Sequence, residues 1–372
     1  MPAVAPSPPK VSPKSAGECR WDCLALGEVM LRFDPGEDRI RTARSFRVWE
    51  GGGEYNVARS LRRTFGWRTA IATALPRTEL GALAEDLILQ GGVDMSPVVW
   101  READAIGRDS RMGLNFTERG FGVRSALGCS DRANSAASQL APGEIDWDTL
   151  FGRDGVRWLH TGGVFTALSS STAAITLEAV KAARRHGTRV SFDLNYRPSL
   201  WTSHGDPETL RRVNREIVSN CDVLFGDELA IAGCLGEANA PVARETPTDR
   251  RPFDHSVDQL IARYPQLSVV ATTLRDPVTA TRNGWGGLIR EGDVRHASHY
   301  IEDLEILDRV GGGDAFAAGV VHALLSGFGA QVAVDWGTAH GALAMTTPGD
   351  TAVSSIGEII RFLGPNAAAT VR

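Results

Sequence analysis

Three consecutive glycines followed by an aspartate constrain what this chain can form more than any other feature of its sequence. Gly311, Gly312 and Gly313 precede Asp314, after which apolar residues recur near helical spacing as far as Leu325. Glycine allows positive φ and lets a ligand approach the backbone N–H groups closely. A helix N-terminus offers unpaired N–H donors and the positive end of the helix dipole. The segment therefore predicts an anion-binding loop that leads into a helix.

Asp314 places a carboxylate at the start of this predicted helix. An isolated aspartate in such a position is commonly a helix cap. The three glycines before it favour a second role, in which the carboxylate accepts a hydroxyl proton beside a bound phosphate. Phosphoryl transfer depends mainly on positioning and charge stabilisation, so an aspartate of ordinary pKa is sufficient for this role.

The second half of the chain alternates between strand and helix patterns. Strands are predicted at 156–161, 189–195, 223–225 and 267–272, and helices at 172–186, 208–219 and 332–345. This alternation predicts an α/β fold whose mostly parallel central sheet is covered by helices on both faces.

The first half is less regular. Strands are predicted at 21–28 and 69–75, short exposed strands within 29–48, and glycine-punctuated strands within 107–132. The last of these suit hairpins that project from a core. One helix is predicted to follow the glycines at 51–53 and another to cover 81–90, and residues 237–254 predict an exposed insertion.

Composition and charge argue against several classes of protein. The 372 residues are 42% hydrophobic and 23% charged with a net charge of −5, which is typical of a globular protein and disfavours nucleic acid as a partner. No apolar run reaches the roughly 18–20 residues of a membrane span. Five scattered cysteines predict reduced thiols in a cytoplasmic protein, with little support for zinc. Proline-rich residues 1–20 predict a disordered tail without a secretory signal.

The common nucleotide-binding motifs are missing from the sequence. It contains no G-x-x-x-x-G-K-[ST], no G-x-G-x-x-G after the first strand, and neither H-R-D nor D-F-G. What remains is an anion loop that carries an acid, together with a second glycine loop that ends in a polar residue, Asn56. These two loops favour phosphoryl transfer without the Walker, dinucleotide or protein-kinase motifs.

Residues 311–316 resemble the G-A-G-D signature of the ribokinase (PfkB) family of sugar kinases, and the resemblance extends from about Cys23 to Leu363. Residues 50–58 match the N-terminal glycine loop of that family, and residues 346–349 resemble its C-terminal T-x-P-G turn. Within the family the sequence is most similar to 2-keto-3-deoxygluconate kinases. The supporting segments are 27–32, 131–136, 193–198, 271–275 and 308–314.

The resemblance implies a ribokinase-like three-layer α/β/α domain over residues 21–365, followed by a short tail at 366–372. It also implies a small β-sheet lid from about 29–49 and 106–132, with the sugar between lid and core and ATP along the C-terminal half. Exposed lid edges suggest a homo-oligomer formed through the lid, because unpaired strand edges invite pairing.

The resemblance also assigns roles to individual residues. Asp314 is the implied catalytic base, and Gly311, Gly312 and Gly313 form the anion hole. Sugar contacts are implied for Gly52, Gly53, Asn56, Asn115, Arg132 and Arg197. The nucleotide is expected at Thr272, Thr273, Arg275, Gly311 and Gly313, and Asp227 and Glu228 are candidates for ordering Mg²⁺ and water.

Each of these assignments has a plainer structural alternative. Asn56 can cap a helix, and Asp227 with Glu228 can be favourable acidic residues at a helix start. Arg132 and Arg197 can be solvated or ion-paired arginines. Their motif context favours a sugar acid instead, because a guanidinium offers a planar fork of donors to a carboxylate.

Two positions depart from the pattern of 2-keto-3-deoxygluconate kinases. Asn115 follows Gly113 and Leu114 where a tyrosine is usual, and Ser130 replaces a second tyrosine. Both replacements are smaller and polar, so the pocket is expected to be wider or to hold a different acid or sugar. Residues 226–230 also differ from the expected Asn-x-x-Glu-like segment.

The sequence therefore predicts an ATP- and Mg²⁺-dependent kinase that phosphorylates a hydroxymethyl group of a small sugar acid, with 2-keto-3-deoxygluconate as the favoured substrate. One alternative is a kinase for fructose or 5-dehydro-2-deoxygluconate. A sugar-binding protein without catalysis and a dehydrogenase on a doubly wound sheet are alternatives from other classes. The missing dinucleotide fingerprint argues against the dehydrogenase.

Overall fold

The computed structural model describes residues 12–104, 106–201, 206–236 and 244–364. The strands are β1 (Trp21–Leu26), β2 (Met30–Asp34), β3 (Arg47–Gly51), β4 (Thr69–Ala72), β5 (Ala74–Pro76), β6 (Val99–Arg101), β7 (Gly113–Glu118), β8 (Leu127–Asp131), β9 (Val156–Gly162), β10 (Arg189–Asp193), β11 (Val223–Phe225), β12 (Val269–Pro277), β13 (Arg282–Glu291), β14 (Val294–Ala297) and β15 (Ile301–Glu305).

The α-helices are α1 (Gly53–Arg63), α2 (Glu79–Gly91), α3 (Gly163–Thr166), α4 (Ser170–Arg185), α5 (Pro198–Trp201), α6 (Pro207–Val218), α7 (Glu228–Leu235), α8 (Arg251–Arg263), α9 (Gly312–Leu325), α10 (Ala330–Ala344) and α11 (Ile356–Leu363). Short 3₁₀ segments lie at Ala16–Glu18 and Ala137–Gln139, and a π-helical segment lies at Thr149–Gly155.

A nine-stranded central sheet organises the molecule. Its order is β14–β13–β12–β11–β10–β9–β1–β4, with β15 also paired to β13. The path from β12 to β4 is parallel throughout, whereas β13 pairs antiparallel with β12, β14 and β15. The predicted mostly parallel sheet is therefore confirmed.

Helices cover both faces of this sheet, and the short strand β11 shows why. Val223 and Phe225 pack in one apolar cluster with Phe316 of α9. Leu224, between them, packs in the opposite cluster with Ile217 of α6. Successive strand side chains point to opposite faces, so a strand that is apolar throughout must be covered on both sides. The three-layer α/β/α prediction is confirmed.

A second, four-stranded sheet has the order β3–β2–β7–β8. This small sheet corresponds to the predicted lid, and below we call it the lid sheet. Its strand β2 differs from the prediction of exposed strands at 29–48, because Arg32 and Asp34 are each only 1% exposed. The charged side chain of Arg32 is buried because it forms ion pairs with carboxylates of the main domain. The boundaries of the lid and of the domain remain predictions.

The strand predicted at 69–75 is in fact two strands. β4 ends at Ala72 in the central sheet, and β5 pairs with β6 in a separate two-stranded sheet. Leu75 is fully buried and packs in a cluster with Ile88 of α2. The apolar pattern continues across both strands because each is buried, so the break between them cannot be seen in the sequence pattern.

Two predicted irregular segments are more ordered than expected. Part of the tail predicted at 1–20 lies against the domain: Ser12 and Lys14 accept hydrogen bonds through their carbonyls from Arg189 (2.9 Å) and Arg157 (2.8 Å). Residues 1–11 and the predicted tail at 366–372 lie outside the described residues. So do 237–243 of the predicted insertion, while 251–254 belong to α8, where Phe253 is fully buried.

None of the helices in the described part of the chain is long and apolar enough to cross a membrane. All five cysteines are free thiols, and four of them are buried.

Candidate active site

A cleft of ≈ 1020 Å³ lies between the lid sheet and the carboxyl ends of the parallel strands. Ligands of open α/β sheets generally bind at this edge. Of the residues singled out in the sequence, those that line the cleft are Gly52, Gly53, Asn56, Asn115, Arg132, Arg197, Asp227, Glu228, Thr273, Arg275, Gly311, Gly312, Gly313 and Asp314. Thr272 lines an adjoining cavity of ≈ 370 Å³. The structure thus brings all the predicted site residues together, and their individual roles remain predictions.

The glycine loop forms the N-terminus of α9. Gly311 is the N-cap residue with φ +79°, and a side chain there would overlap the carbonyl group of Asp350. Only glycine fits this conformation and this contact. The helix begins at Gly312, two residues before the predicted start at Asp314, and the first intrahelical bond runs from Ala315 N–H to Gly311 O (2.8 Å). The N–H groups of residues 312–314 therefore have no intrahelical acceptor and suit an anion.

Asp314 lies in the first turn of α9 and is held from the opposite side of the cleft. The side-chain amide of Asn56, in the first turn of α1, donates a hydrogen bond of 2.6 Å to Asp314 Oδ2. Desolvation, followed by the charges of Asp193 and Asp350, raises the pKa of Asp314 to about 7, against the opposing effect of the Asn56 hydrogen bond. An ordinary pKa is sufficient for the role predicted from the sequence, so the raised pKa of Asp314 is an addition made by the fold. A carboxylate with a pKa near 7 is a stronger proton acceptor and is still largely ionised at slightly alkaline pH.

Two further carboxyl groups near Asp314 were not assigned a role from the sequence. Burial raises the pKa of Asp193, at the end of β10, to about 6. Burial raises the pKa of Glu54 to about 8, and its carboxyl lies where side chains at Gly27 and Gly162 would have to stand. Glu54 is therefore mostly neutral at pH 7, and the glycines beside it leave room for its side chain. The one sign in the sequence that Glu54 belongs to the site is its position within the second glycine loop, residues 50–58.

Arg132 enters the cleft from the loop after β8. Its guanidinium forms an ion pair with Glu28, which also accepts a hydrogen bond from the hydroxyl of Ser135. Arg132 Nε is buried without a hydrogen-bond partner in the described structure, and so is the side-chain oxygen of Asn56. Buried polar atoms usually have partners, so two unpaired ones on residues that line one cleft are consistent with a polar ligand in that cleft.

The two departures from the family pattern meet on the lid sheet. Asn115 of β7 lies directly opposite Ser130 of β8. The Ser130 hydroxyl donates to Asn115 Oδ1 (3.1 Å), and Asn115 Nδ2 donates to the Thr117 hydroxyl (2.9 Å). Only Asn115 of this pair lines the cleft. At this point the lid wall therefore consists of hydrogen-bonded polar side chains, those of Ser130, Asn115 and Thr117, in place of aromatic rings.

Arg197 lies beyond the end of β10 on the opposite wall of the cleft. The turn before it places Asn195 at φ +35°, with the Asn195 N–H donating to Asp193 Oδ1 (2.9 Å). Arg197 is exposed, and its guanidinium donates to the carbonyl of Tyr196 (3.1 Å) without an ion pair in the described chain. Its charge is therefore available to an acidic ligand.

A second pair of arginines lies where the nucleotide was expected. Arg275 of β12 and Arg309, two residues before Gly311, both line the cleft. Desolvation and the nearby charge of Arg309 lower the pKa of Arg275. Neither guanidinium forms an ion pair within the described residues. Two like charges kept close together and unneutralised suit a polyanion such as a triphosphate. Arg309 was not singled out from the sequence, although it adjoins the glycine loop.

The two candidates for magnesium differ in their surroundings. Asp227 caps α7 by accepting a hydrogen bond from the Ala230 N–H (2.7 Å), and it lines the cleft. Glu228 is bound through both oxygens by Arg244 (2.7 and 2.8 Å), which favours a structural role for it. No group of three or more His, Cys, Asp or Glu side chains that could hold a metal occurs among the described residues. Of these two residues, Asp227 is the one compatible with binding Mg²⁺, which commonly uses one or two carboxylates together with phosphates and water.

Comparison with known proteins agrees with this geometry. The model of the pfkB family carbohydrate kinases matches residues 21–356. A 2-dehydro-3-deoxygalactonokinase of Haloferax volcanii is 30% identical over 346 residues, which are 92% of this chain and 96% of the relative. A 5-dehydro-2-deoxygluconokinase of Geobacillus kaustophilus is 24% identical over 92% of this chain and 93% of its own length. The crystal structure of a 2-dehydro-3-deoxygluconokinase from Thermotoga maritima matches with a TM-score of 0.82 and 32% identity, covering 92% of this chain and 98% of that chain.

The three-layer α/β/α core, the separate small sheet and the glycine helix N-terminus that carries an aspartate agree with the match to the carbohydrate kinases. The family match extends over the whole central sheet and includes both glycine loops. The chain belongs to the PfkB family of carbohydrate kinases. The family match confirms a phosphotransferase and implies ATP and a sugar as its substrates, and the dehydrogenase alternative is wrong.

Proposed function

We propose that this kinase transfers the γ-phosphoryl group of ATP to the hydroxymethyl group of a 2-keto-3-deoxy sugar acid. The favoured substrate is 2-keto-3-deoxygluconate, also called 2-dehydro-3-deoxygluconate. One observation carries the proposal: a single cleft holds Asp314 at the glycine end of α9 together with Arg197, whose guanidinium has no carboxylate partner in the described chain. The names of the relatives from Haloferax volcanii and Thermotoga maritima support the same class of substrate.

In this mechanism Asp314 accepts the proton of the substrate hydroxymethyl group as its oxygen attacks the γ-phosphorus. The bond between that phosphorus and the β–γ bridging oxygen breaks, and ADP leaves with the bonding electrons. The free N–H groups of residues 312–314 stabilise the negative charge on the moving phosphoryl group. Asn56 orients the carboxylate of Asp314 for the transfer. Positioning and charge stabilisation are the main requirements of this reaction.

Arg197 is assigned to the carboxylate of the sugar acid. A guanidinium can donate two parallel hydrogen bonds to a carboxylate, which fixes both the position and the orientation of the substrate. Arg132 is already paired with Glu28, so it is assigned to neutral oxygens of the sugar through its unpartnered Nε. Gly52, Gly53 and Asn56 form the wall beside the reacting hydroxyl.

The nucleotide is assigned to the end of the cleft that contains Thr272, Thr273, Arg275 and Arg309. Arg275 and Arg309 would contact phosphate oxygens, which neutralise their mutual repulsion. Mg²⁺, when bound to ATP, would neutralise further charge on the phosphates, and Asp227 is the residue that fits an ordering role for it.

The polar lid wall favours a second candidate substrate, 5-dehydro-2-deoxygluconate. Asn115 and Ser130 leave space where two tyrosine rings are expected, and a relative of 24% identity is named for that activity.

The experiment that separates the candidates measures ADP release with 2-keto-3-deoxygluconate, 2-keto-3-deoxygalactonate, 5-dehydro-2-deoxygluconate and fructose. The proposal predicts the highest kcat/KM for a 2-keto-3-deoxy acid. A clear preference for fructose would contradict it, and sugar binding without turnover would favour a non-catalytic protein.

The lid sheet is proposed as the contact in a homo-oligomer. All five residues of β8 are exposed at an open edge of the sheet, and Phe121 before it is 79% exposed. Unpaired strand edges and exposed aromatic side chains favour pairing with a second copy. Light scattering should then give the mass of an oligomer, and a monomeric mass at micromolar concentration would remove the proposal. Cytoplasmic location remains a prediction.

A further inference from the structure

Arg32 of the lid sheet is a buried cation at the centre of a carboxylate cluster. Its guanidinium donates to Asp350 Oδ1 (2.6 Å) and to Asp308 Oδ2 (2.7 Å), and it lies 3.7 Å from Asp34. The Arg32 side chain is 1% exposed. A buried arginine requires such partners, because an unpaired charge is strongly disfavoured away from water.

Two of these carboxylates belong to the segments that hold the N-terminus of α9. Asp308 lies three residues before Gly311, and its Oδ1 accepts from the Val310 N–H (3.2 Å) within the same loop. Its Oδ2 also accepts from the Gly349 N–H (3.3 Å). The carbonyl of Asp350 occupies the space beside Gly311 that a side chain would need. Arg32 therefore binds both chain segments that fix the conformation of Gly311.

Arg32 also connects these segments to the loop at 51–53 on the sugar side of the cleft. It lies opposite Trp49 on β3, the strand that leads directly into that loop. The carboxylate of Asp350 fills the space that a side chain at Gly51 would occupy. Arg32 itself does not line the cleft, whereas Asp350 and the three glycines of α9 do.

We propose that Arg32 is a positioning residue, which sets the anion-binding N-terminus of α9 against the lid sheet and the sugar loop so that the glycine N–H groups and Asp314 are aligned for phosphoryl transfer. This role rests on the proposed kinase reaction. Because Arg32 contacts no substrate in this arrangement, its loss acts on the rate of transfer more than on sugar binding.

The charged groups around Arg32 determine what happens to the cluster when Arg32 is removed. The acidic groups are Asp34, Asp308, Asp350 and Glu50, and the remaining cations are Arg119 beside Asp34 and Arg59 beside Glu50. Removing Arg32 leaves Asp308 and Asp350 without a cation between them. The pair would then bind a proton instead of staying doubly charged, and the two hydrogen bonds from Arg32 that hold the loops beside Gly311 would be lost.

The test compares Arg32→Met and Arg32→Lys with the wild-type kinase. Arg32→Met is expected to lower kcat about 10²-fold, the loss that a displacement of about 1 Å can produce. KM for the sugar acid should change less than about threefold, because Arg32 does not line the cleft. Arg32→Lys keeps the charge but cannot bind both carboxylates in the same geometry, so it should recover part of the rate.

Arg290→Met is the matched control. Arg290 of β13 is also buried and binds Asp258 of α8 (2.7 Å), and neither residue lines the cleft. Its replacement should lower stability while leaving kcat and the pH profile of the folded enzyme unchanged. The proposed role of Arg32 would be overturned if Arg32→Met and Arg290→Met had the same kcat and KM and if their loss of activity followed only the fraction of folded protein.

A second measurement does not depend on turnover. Hydrogen exchange of a peptide covering 307–316 should be faster in Arg32→Met than in wild type, while a peptide from α4 exchanges at an unchanged rate. Unchanged exchange at 307–316 would overturn the proposal. If the wild type phosphorylated no sugar acid but the exchange result held, the proposed substrate would fail while the link between Arg32 and the glycine loop remained.

Addition of millimolar guanidinium to Arg32→Ala should restore part of the activity, whereas tetramethylammonium should not.

Discussion

Asn56 and Asp314 lie 258 residues apart in the chain, yet their side chains share a hydrogen bond of 2.6 Å across the cleft. Each belongs to the first turn of a helix that begins with glycine. The two helix N-termini therefore converge on one carboxylate, and a sugar hydroxyl bound between them would meet a proton acceptor and the anion-binding N–H groups together. This relationship connects the lid-side loop with the phosphoryl-transfer loop.

Replacing Asn56 by Ala should shift the pH dependence of the reaction. The hydrogen bond from Asn56 lowers the pKa of Asp314, which desolvation raises to about 7. In the wild type kcat/KM should rise as pH passes about 7, because only the ionised carboxylate accepts a proton. The variant should show the same rise at higher pH. Rates measured from pH 5.5 to 9 test this.

Asn214→Ala is the control for that experiment. Asn214 is buried in α6, where its amide donates to Leu210 O (2.9 Å), away from the cleft. Its replacement should leave the position of the rise unchanged. A flat wild-type profile between pH 6 and 8, or an Asn56→Ala profile that coincides with it, would contradict the assigned role of the carboxylate.

Asp314→Asn should stabilise the fold at alkaline pH. The folded pKa of Asp314 is raised above its unfolded value, so its contribution to stability is present below about pH 4 and is lost as pH rises through about 7. At pH 8 the neutral amide avoids the buried charge, and the melting temperature should exceed that of wild type. Near pH 5 the difference should be small. A larger gain at pH 5 than at pH 8 would contradict the raised pKa.

Arg197→Ala should weaken recognition of an acid far more than that of a neutral ligand. A hydrogen bond to a charged group contributes about 1.5–3 kcal/mol, so KM for 2-keto-3-deoxygluconate should rise roughly 10- to 150-fold. The inhibition constant of its methyl ester should change little. Arg212→Ala, which removes an exposed arginine of α6 outside this cleft, serves as control. Equal effects of Arg197→Ala on acid and ester would exclude the carboxylate contact.

Asn115→Tyr should narrow the lid wall and change the choice between sugar acids. A change in pocket shape of this kind is worth about 1–3 kcal/mol in discrimination. The ratio of kcat/KM for 2-keto-3-deoxygluconate over 5-dehydro-2-deoxygluconate should rise about tenfold or more. Cys129→Ser, at an exposed position of neighbouring strand β8, should leave the ratio unchanged. A ratio unaffected by Asn115→Tyr would show that this wall does not select the substrate.

Local patterns in the sequence predicted much of the fold. Buried parallel strands are apolar throughout and alternate with helices, so β9 to β12 and the helices α4 and α6 could be placed from periodicity. The glycine loop before α9 could be recognised in the sequence, because only glycine fits the backbone conformation and the contact at Gly311. Strands β13 to β15 and helices α7 and α8 were not predicted, because their pairing and burial depend on distant partners.

The parts of the site that depend on long-range contacts could not be read from the sequence. Arg32 was expected in an exposed strand, since an arginine is usually exposed, but its partners Asp308 and Asp350 lie 276 and 318 residues away. The raised pKa of Asp314 follows from burial and from Asp193 and Asp350, which only the fold brings near it. The hydrogen bond between Asn115 and Ser130 likewise depends on strand register.

ADP release by Asp314→Asn with 2-keto-3-deoxygluconate, compared with wild type at pH 8, tests the central claim most directly. The amide keeps the shape of the carboxylate and can still accept a hydrogen bond from Asn56, but it cannot take the hydroxyl proton. The assigned mechanism predicts a loss of about 10²- to 10⁴-fold in kcat with little change in KM. Turnover of this sugar acid that survives Asp314→Asn at a rate close to wild type would contradict it.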